Sequence, residues 1–224
     1  MKYFTKSEIF LFSGSILLIL TAFLLFDRSN YLSLSASLIG VTSLIFAAKG
    51  NPIAQILMIL FSVLYGIISH SFAYYGEMIT YLGMTMPMAV FTLISWLKHP
   101  FEGKKSEVKI HHIRKQELLI TSILTIFVTI LFYFILKYFH TANLIPSTIS
   151  VTTSFLAISL TFFRSPYYAL AYAANDLILI LLWGMASVEN SSYLSVLVCF
   201  CVFLINDIYG FLNWKQMEKH QNQS

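Results

Sequence analysis

Two stretches carry the most unusual chemistry of this chain. NDLILILLW (Asn175 to Trp183) and NDIYGFLNW (Asn206 to Trp214) share one skeleton, an Asn-Asp pair with Trp seven residues after the Asp. Both lie within long apolar runs. An indole face attracts positive charge, a carboxylate offsets it, and an amide pairs with amides or diols, so the set suits a flat polar cation. A carboxylate at mid-membrane costs at least ~2.5 kcal/mol on insertion scales, and such residues face a bundle interior or a watery cavity. The structural alternative is an interhelical clamp, with Asp accepting from Asn, Ser or Tyr of a neighbour.

On regular helices, seven residues return to within about 20° and rise ~10 Å. Asp176 and Trp183 therefore share a face, as do Asp207 and Trp214, and Tyr172 joins the first stripe. Asp176 lies ten residues beyond Pro166, and Asp207 seven before Trp214 on a helix running the other way. Both carboxylates then sit ~10–15 Å from the same membrane boundary. The spacing predicts one polar site built by the two Asn-Asp pairs and bracketed by Trp183 and Trp214. Trp214 also suits an interfacial anchor, since it stands at a span end beside Lys215. Earlier, YYGEMITYLGMTMPM (74–88) sets Tyr81 and Thr85 four and eight residues after Glu77. Pro87 interrupts that run, and kinks of this kind line pathways. Tyr81 equally suits core packing, and Gln55, three positions inside its span, suits snorkelling to the interface.

These residues need a scaffold that crosses a bilayer. Hydrophobic residues are 58% of the chain and charged residues 11%, against about 25% charged in soluble domains. Eight apolar stretches follow, at 9–26, 31–48, 52–70, 77–97, 117–138, 146–163, 166–187 and 193–214. Each approaches the ~20 residues that a spanning helix needs, and none shows the strict alternation of a barrel strand. The expected fold is all-α and integral to the membrane. The first run exceeds the apolar core of a signal peptide and reads as an uncleaved span. With the amino terminus inside, twelve Lys and Arg fall on the inner side and only Arg28 and Lys137 outside, which predicts two cytoplasmic termini.

The basic loop KHPFEGKKSEVKIHHIRKQE (98–117) accounts for most of the pI near 9.0 and reads as an inner juxtamembrane segment beside anionic lipid. No nucleic-acid module accompanies it. His111 and His112 lack a Cys or carboxylate at ligand spacing, so no metal site is expected. Cys199 and Cys201 read as reduced packing residues. No phosphate-binding loop, H-E-x-x-H or G-x-S-x-G occurs, which disfavours ATP-driven transport, an enzyme and any cofactor requirement. Ion coupling through Asp176 stays open.

The chain also repeats itself. KGNP (49–52) opens the third span and RSP (164–166) the seventh, each with Pro where a helix tolerates it. SWLK (95–98) closes the fourth span and NWK (213–215) the eighth. Pro52 to Trp96 is 44 residues and Pro166 to Trp214 is 48, the outer loop ASVENSSY (186–193) supplying the difference. The expected plan is an extra helix (1–30), a three-helix repeat (31–98), the basic loop (99–116), a linker helix (117–140), a second repeat (141–215) and a tail (216–224). An odd repeat with one linker span gives parallel copies, with the site near the midplane between them.

The ending FLINDIYGFLNWK, AYYGEM entering the fourth span, the KGNP turn and the 3+1+3 plan resemble the PnuC nicotinamide riboside transporters over about residues 31–217. The resemblance implies a SWEET-like bundle, a homotrimer, and facilitated diffusion of the vitamin across a bacterial plasma membrane, followed by trapping through a cytoplasmic riboside kinase. It implies substrate contacts from Asn175, Asp176, Trp183, Asn206 and Trp214, to which Tyr81, Thr85 and Tyr209 are added. Many relatives carry amides where this chain has Tyr81, Thr85 and Met88. Relatives with altered sites carry thiamin, riboflavin or deoxynucleosides, and thiamin, also a flat cation, is the closest rival substrate.

Overall fold

The computed structural model describes residues 3–71 and 75–223. Lys2, the Ala73–Tyr74 part of AYYGEM and Ser224 lie outside the described residues. Among the described residues, eight helices are long and apolar enough to cross a membrane: α1 (Lys6–Phe26), α2 (Tyr31–Ala48), α3 (Ile53–Ser71), α4 (Tyr75–Lys98), α5 (Lys115–Tyr138), α6 (Leu144–Phe162), α7 (Tyr168–Glu189) and α8 (Leu194–Gln221). The last runs past Trp214 to Gln221, beyond the apolar stretch that marked it in the sequence.

Local chemistry sets the boundaries. Thr5 caps α1 in a capping box with Glu8, and the Asn30 side chain caps α2 by accepting from Ser33 N–H. The turns α2–α3 and α6–α7 reverse the chain with one residue of positive φ each, Gly50 at 63° and Arg164 at 58°. Inside α4 the residues Thr80–Thr85 form a π-helical turn, after which Pro87 occupies the first turn of the next α-helical segment. Pro removes an N–H and clashes with the preceding turn, and the wider π register absorbs this without ending the helix. Buried hydroxyls such as Thr80, Thr125 and Thr161 bond back to carbonyls four residues earlier, which satisfies them where water is scarce.

Six helices close into a ring. α2, α3 and α4 pack in one triple, α6, α7 and α8 in another, and the triples meet at two seams, α2 on α8 and α4 on α6. α1 lies along the first seam, while α5 packs on α6 and on the outer turn of α4. The outer faces of α1 and α5 expose Phe10, Leu17, Leu25, Ile120, Phe127 and Phe134, the apolar belt a lipid-facing helix needs.

The two seams are bonded alike. Trp96 Nε1–H donates to Thr161 O at 2.9 Å and Ser95 Oγ–H to Phe162 O at 3.0 Å. Trp214 Nε1–H donates to Ala47 O at 2.8 Å and Asn213 Nδ2–H to Ala48 O at 2.6 Å. Each Trp thus ties the end of its triple to the first helix of the other, and the two indoles meet at 5.6 Å between ring centroids. Together they seal the end of the ring that carries Lys49, Lys98, Arg164 and Lys215, here called the basic end.

The basic loop is more ordered than its composition implied. Pro100–Phe101 and Lys104–Val108 form a short antiparallel hairpin, turned by Glu102 and Gly103 at φ 47° and 75°. Val108 N–H then donates to Gly50 O at 3.0 Å and His111 N–H to Arg164 O at 3.1 Å. The strap therefore grips the same position of both turns.

Candidate functional site

The centre of the ring holds a small, largely apolar cavity of about 50 Å³, lined from all six helices and carrying a few polar side chains. Part of its lining falls into matched pairs under the 114-residue shift that separates Pro52 from Pro166: Gly40 with Ser154, Leu44 with Ile158, Met58 with Tyr172, Phe61 with Asn175. In α4 and α8 the register fixed by Trp96 and Trp214 pairs Thr85 with Phe203.

Asp176 on α7 and Asp207 on α8 both line this cavity and are each 4% exposed. Their carboxyl groups lie within interaction range of one another. Asp176 Oδ2 is buried without a hydrogen-bond partner among the described residues, which leaves it open to a guest or a water. Asn175 Oδ1 accepts from Ser150 Oγ at 3.0 Å and Thr153 Oγ1 at 2.9 Å, which holds the cavity wall to α6. Tyr81 and Thr85 come from the π-helical turn of α4, the kind of irregularity that clusters at functional sites. Tyr81 stacks near Tyr65 at 4.4 Å and Phe61 at 5.9 Å between centroids.

Above this cavity, at the end opposite the basic turns, lies a vestibule of about 420 Å³. That is within the size range of small-molecule pockets. Asp27, Asn30 and Ser192 line its polar part, and Tyr65, Trp183, Cys199 and Phe200 its interior. Burial pushes the Asp27 carboxyl above the usual carboxylate range, partly countered by its hydrogen bond with Asn30. Trp183 is 6% exposed, packs on Tyr193 at 5.4 Å, and meets the Tyr65 hydroxyl. Phe61, Phe200 and Phe203 line both spaces and form the partition between them. A Cβ on Gly40 would stand 2.4 Å from Phe203 Cζ, so this glycine makes room for the partition ring.

The expected site residues thus divide. Tyr81, Thr85, Asn175 and Asp176 meet at the central cavity with Asp207, and Trp183 stands one layer above. Asn206, Tyr209 and Trp214 do not join them. Asn206 Nδ2–H donates to Ser15 Oγ at 2.9 Å, and the Tyr209 hydroxyl to Glu8 Oε1 at 3.1 Å, both on α1. Trp214 is fully buried in the seam crossbar, so it is neither a lower bracket nor an interfacial anchor. Neighbouring residues on a helix point about 100° apart, so on α8 the face that aims Asp207 inward aims Asn206 at α1. Glu77 lines two side pockets at the outer ends of α4, α6 and α7, one of which adjoins the central cavity through Tyr81, Ser154 and Leu179. Gln55 is 4% exposed and does not snorkel. Phe61, Phe203 and Gly40 carried no sequence signal beyond their place in apolar runs; Tyr172 had one, at i−4 from Asp176.

A ring of two matched triples around a central cavity holding two carboxyls, sealed at one end and separated by aromatic rings from a vestibule at the other, is the architecture of a membrane carrier. Residues 30–216 match the family model described as "Nicotinamide mononucleotide transporter". The chain belongs to this family, that of the PnuC transporters. It is 26% identical over 204 residues, 88% of this chain and 77% of the relative, to the "Nicotinamide riboside transporter PnuC" of Neisseria mucosa. Its fold matches the "Crystal structure of the Vitamin B3 transporter PnuC" at a TM-score of 0.83, 22% identity, over 97% of this chain and 94% of that one.

Proposed function

We propose that this protein carries nicotinamide riboside across a bacterial plasma membrane by facilitated diffusion, both termini cytoplasmic, with a cytoplasmic riboside kinase trapping the product. The observation that carries this reading is the paired carboxyls of Asp176 and Asp207 in the central cavity, below a vestibule faced by Trp183. The riboside is a flat cation with an amide and a diol. Trp183 and Tyr65 offer π faces to its ring, the carboxyl pair balances its charge, and Asn175 with Thr85 matches its polar edge. The central cavity is too small for a nucleoside, so the substrate enters the vestibule and displaces the Phe61–Phe203 partition to reach it. No phosphate-binding loop is present in the sequence, and a carrier without an energy source releases at both faces and equilibrates. The relative's name, a nicotinamide riboside transporter, supports the same substrate. By the family resemblance the working unit is a homotrimer.

Purified protein in proteoliposomes tests this. Labelled riboside should equilibrate and stop, with or without a proton or sodium gradient, and an encapsulated riboside kinase with ATP should drive continued accumulation of the phosphorylated product. Free riboside concentrated above the outside level under an ion gradient would overturn the mechanism. Thiamin transport with no response to riboside would replace the substrate.

A further inference from the structure

The extra helix α1 lies outside the residues that the family model matches. A lipid-facing helix needs only apolar packing, yet the buried face of α1 begins with polar groups: Glu8 and Ser15, followed by Ile19, Ala22 and Phe23. Glu8 is 1% exposed. Its Oε1 accepts from Lys49 Nζ at 3.1 Å and from the Tyr209 hydroxyl at 3.1 Å, and its Oε2 from Thr5 N–H at 2.6 Å and Lys49 Nζ at 3.2 Å. Lys49 follows the last residue of α2 in the first triple, and Tyr209 belongs to α8 in the second. One carboxylate therefore bridges the two triples at their seam. Two helical turns further along α1, Ser15 Oγ accepts from Asn206 Nδ2–H at 2.9 Å.

Both contacts fall on one stripe of α8, because residues three apart are neighbours on a helix surface. Asp207 follows Asn206 directly and points about 100° away, into the central cavity. A helix held at two points on one side cannot rotate about its axis. We infer that Ser15 and Glu8 are positioning residues for substrate binding: they fix the rotation of α8 and so aim Asp207 at Asp176. Apolar packing alone would hold α1 to the seam but tolerate rotation, whereas buried polar contacts specify a register. The corresponding seam, α4 on α6, has no such carboxylate among the described residues; α5 reaches α6 there through the Thr129–Thr152 hydroxyl pair at 2.9 Å.

This inference rests on the reading of the carboxyl pair as the substrate site, and the test separates the two. Riboside affinity and melting temperature are measured on the purified full-length protein carrying Ser15→Ala, Glu8→Gln, Asp207→Asn and each pairing with Asp207→Asn. Ser15→Ala and Glu8→Gln should each weaken binding about three- to tenfold and add nothing once Asp207 is changed, as coupled sites do, while their melting shifts persist in both backgrounds. Ser15→Thr, which keeps the oxygen, should bind within about twofold of the parent, and Ser15→Val should be as weak as Ser15→Ala. Equal affinity of the Thr and Val variants, or effects that multiply with Asp207→Asn, would overturn the inference. Affinity sensitive to Asp207→Asn but indifferent to both α1 changes overturns it alone. Affinity indifferent to Asp207→Asn overturns the site reading and this inference together.

Discussion

The two triples are built on one frame and equipped differently. At the basic end they are interchangeable: Trp96 with Ser95 and Trp214 with Asn213 make the same pair of bonds across opposite seams. Toward the centre the chemistry diverges. Where the second triple has Asp176, the first has Ser62; where it has Asp207, the first has Ala89; where it has Trp183, the first has Ser69. Ser62 and Ala89 are fully buried, so the first copy fills these positions with small side chains. Among the cavity pairs, Gly40, Met58 and Phe61 face Ser154, Tyr172 and Asn175. The closures are alike in both triples, whereas the two carboxyls of the central cavity, Asp176 and Asp207, stand in one. The second triple supplies the carboxyls, the amide and the indole, and the first supplies Tyr65, Tyr81 and Thr85.

The largest effect should follow from removing that machinery. Asp176→Asn or Trp183→Ala should weaken riboside binding at least tenfold, about 1.4 kcal/mol, with yield and melting temperature nearly unchanged. The matched changes in the first triple, Ser62→Ala and Ser69→Ala, should move affinity less than about twofold, as sites without a substrate contact do. Isothermal titration on the four variants decides it. Comparable losses from both triples would erase the proposed division, and loss of folding without loss of binding would make the carboxyls a clamp.

A second test probes the shared frame. Trp96→Phe and Trp214→Phe each remove one buried indole N–H bond and leave a carbonyl to find another partner, which costs about 1–3 kcal/mol. If the seams are equivalent, the two melting shifts should agree. A much smaller shift for Trp214→Phe would show that α1, which bridges only that seam through Glu8, carries the load there.

Sequence and structure agree where the bilayer dictates the answer. An unbroken apolar run of spanning length has one solution, so all eight helices were legible. The matched seams left a sign in the spacing of Trp96 and Trp214 from Pro52 and Pro166, and each indole N–H holds a carbonyl of the other triple. The direction of individual side chains was not legible. Asn206 looked like a partner of Asp207 because it precedes it, but Ser15, its actual partner, is 191 residues away, and no local spacing announces that contact. The hairpin in the basic loop did leave a sign, Glu102-Gly103 between extended residues, since two-residue turns favour Gly at positive φ.

A third expectation concerns the partition. Gly40→Ala places a methyl group against Phe203, and overpacking of this kind costs about 1–3 kcal/mol. The change should slow transport more than it weakens binding, because Phe203 must move for substrate to pass from vestibule to cavity. Ser154→Ala, at the matched position, should leave the transport rate near the parent value. A proteoliposome uptake assay on both separates a steric role for the first triple from a polar role for the second.

The smallest effect should come from the two turns. Gly50 and Arg164 occupy the same left-handed position, at φ 63° and 58°, and each gives its carbonyl to the strap. An L-residue there is strained, while Gly visits the region freely. Arg164→Gly should therefore stabilise the protein by up to about 1 kcal/mol through relief of that strain, offset by the greater freedom of Gly in the unfolded chain. Gly50→Ala should go the other way and further, because its Cβ would meet Met217 Cε at 3.0 Å and Val108 Cγ1 at 3.2 Å. The strap bond uses backbone atoms only, so neither change should alter riboside affinity. Melting curves of the two variants check the sign. A fall for Arg164→Gly would mean that the guanidinium, whose pKa burial lowers while Glu117 opposes the shift, contributes more to that turn than its backbone strain removes.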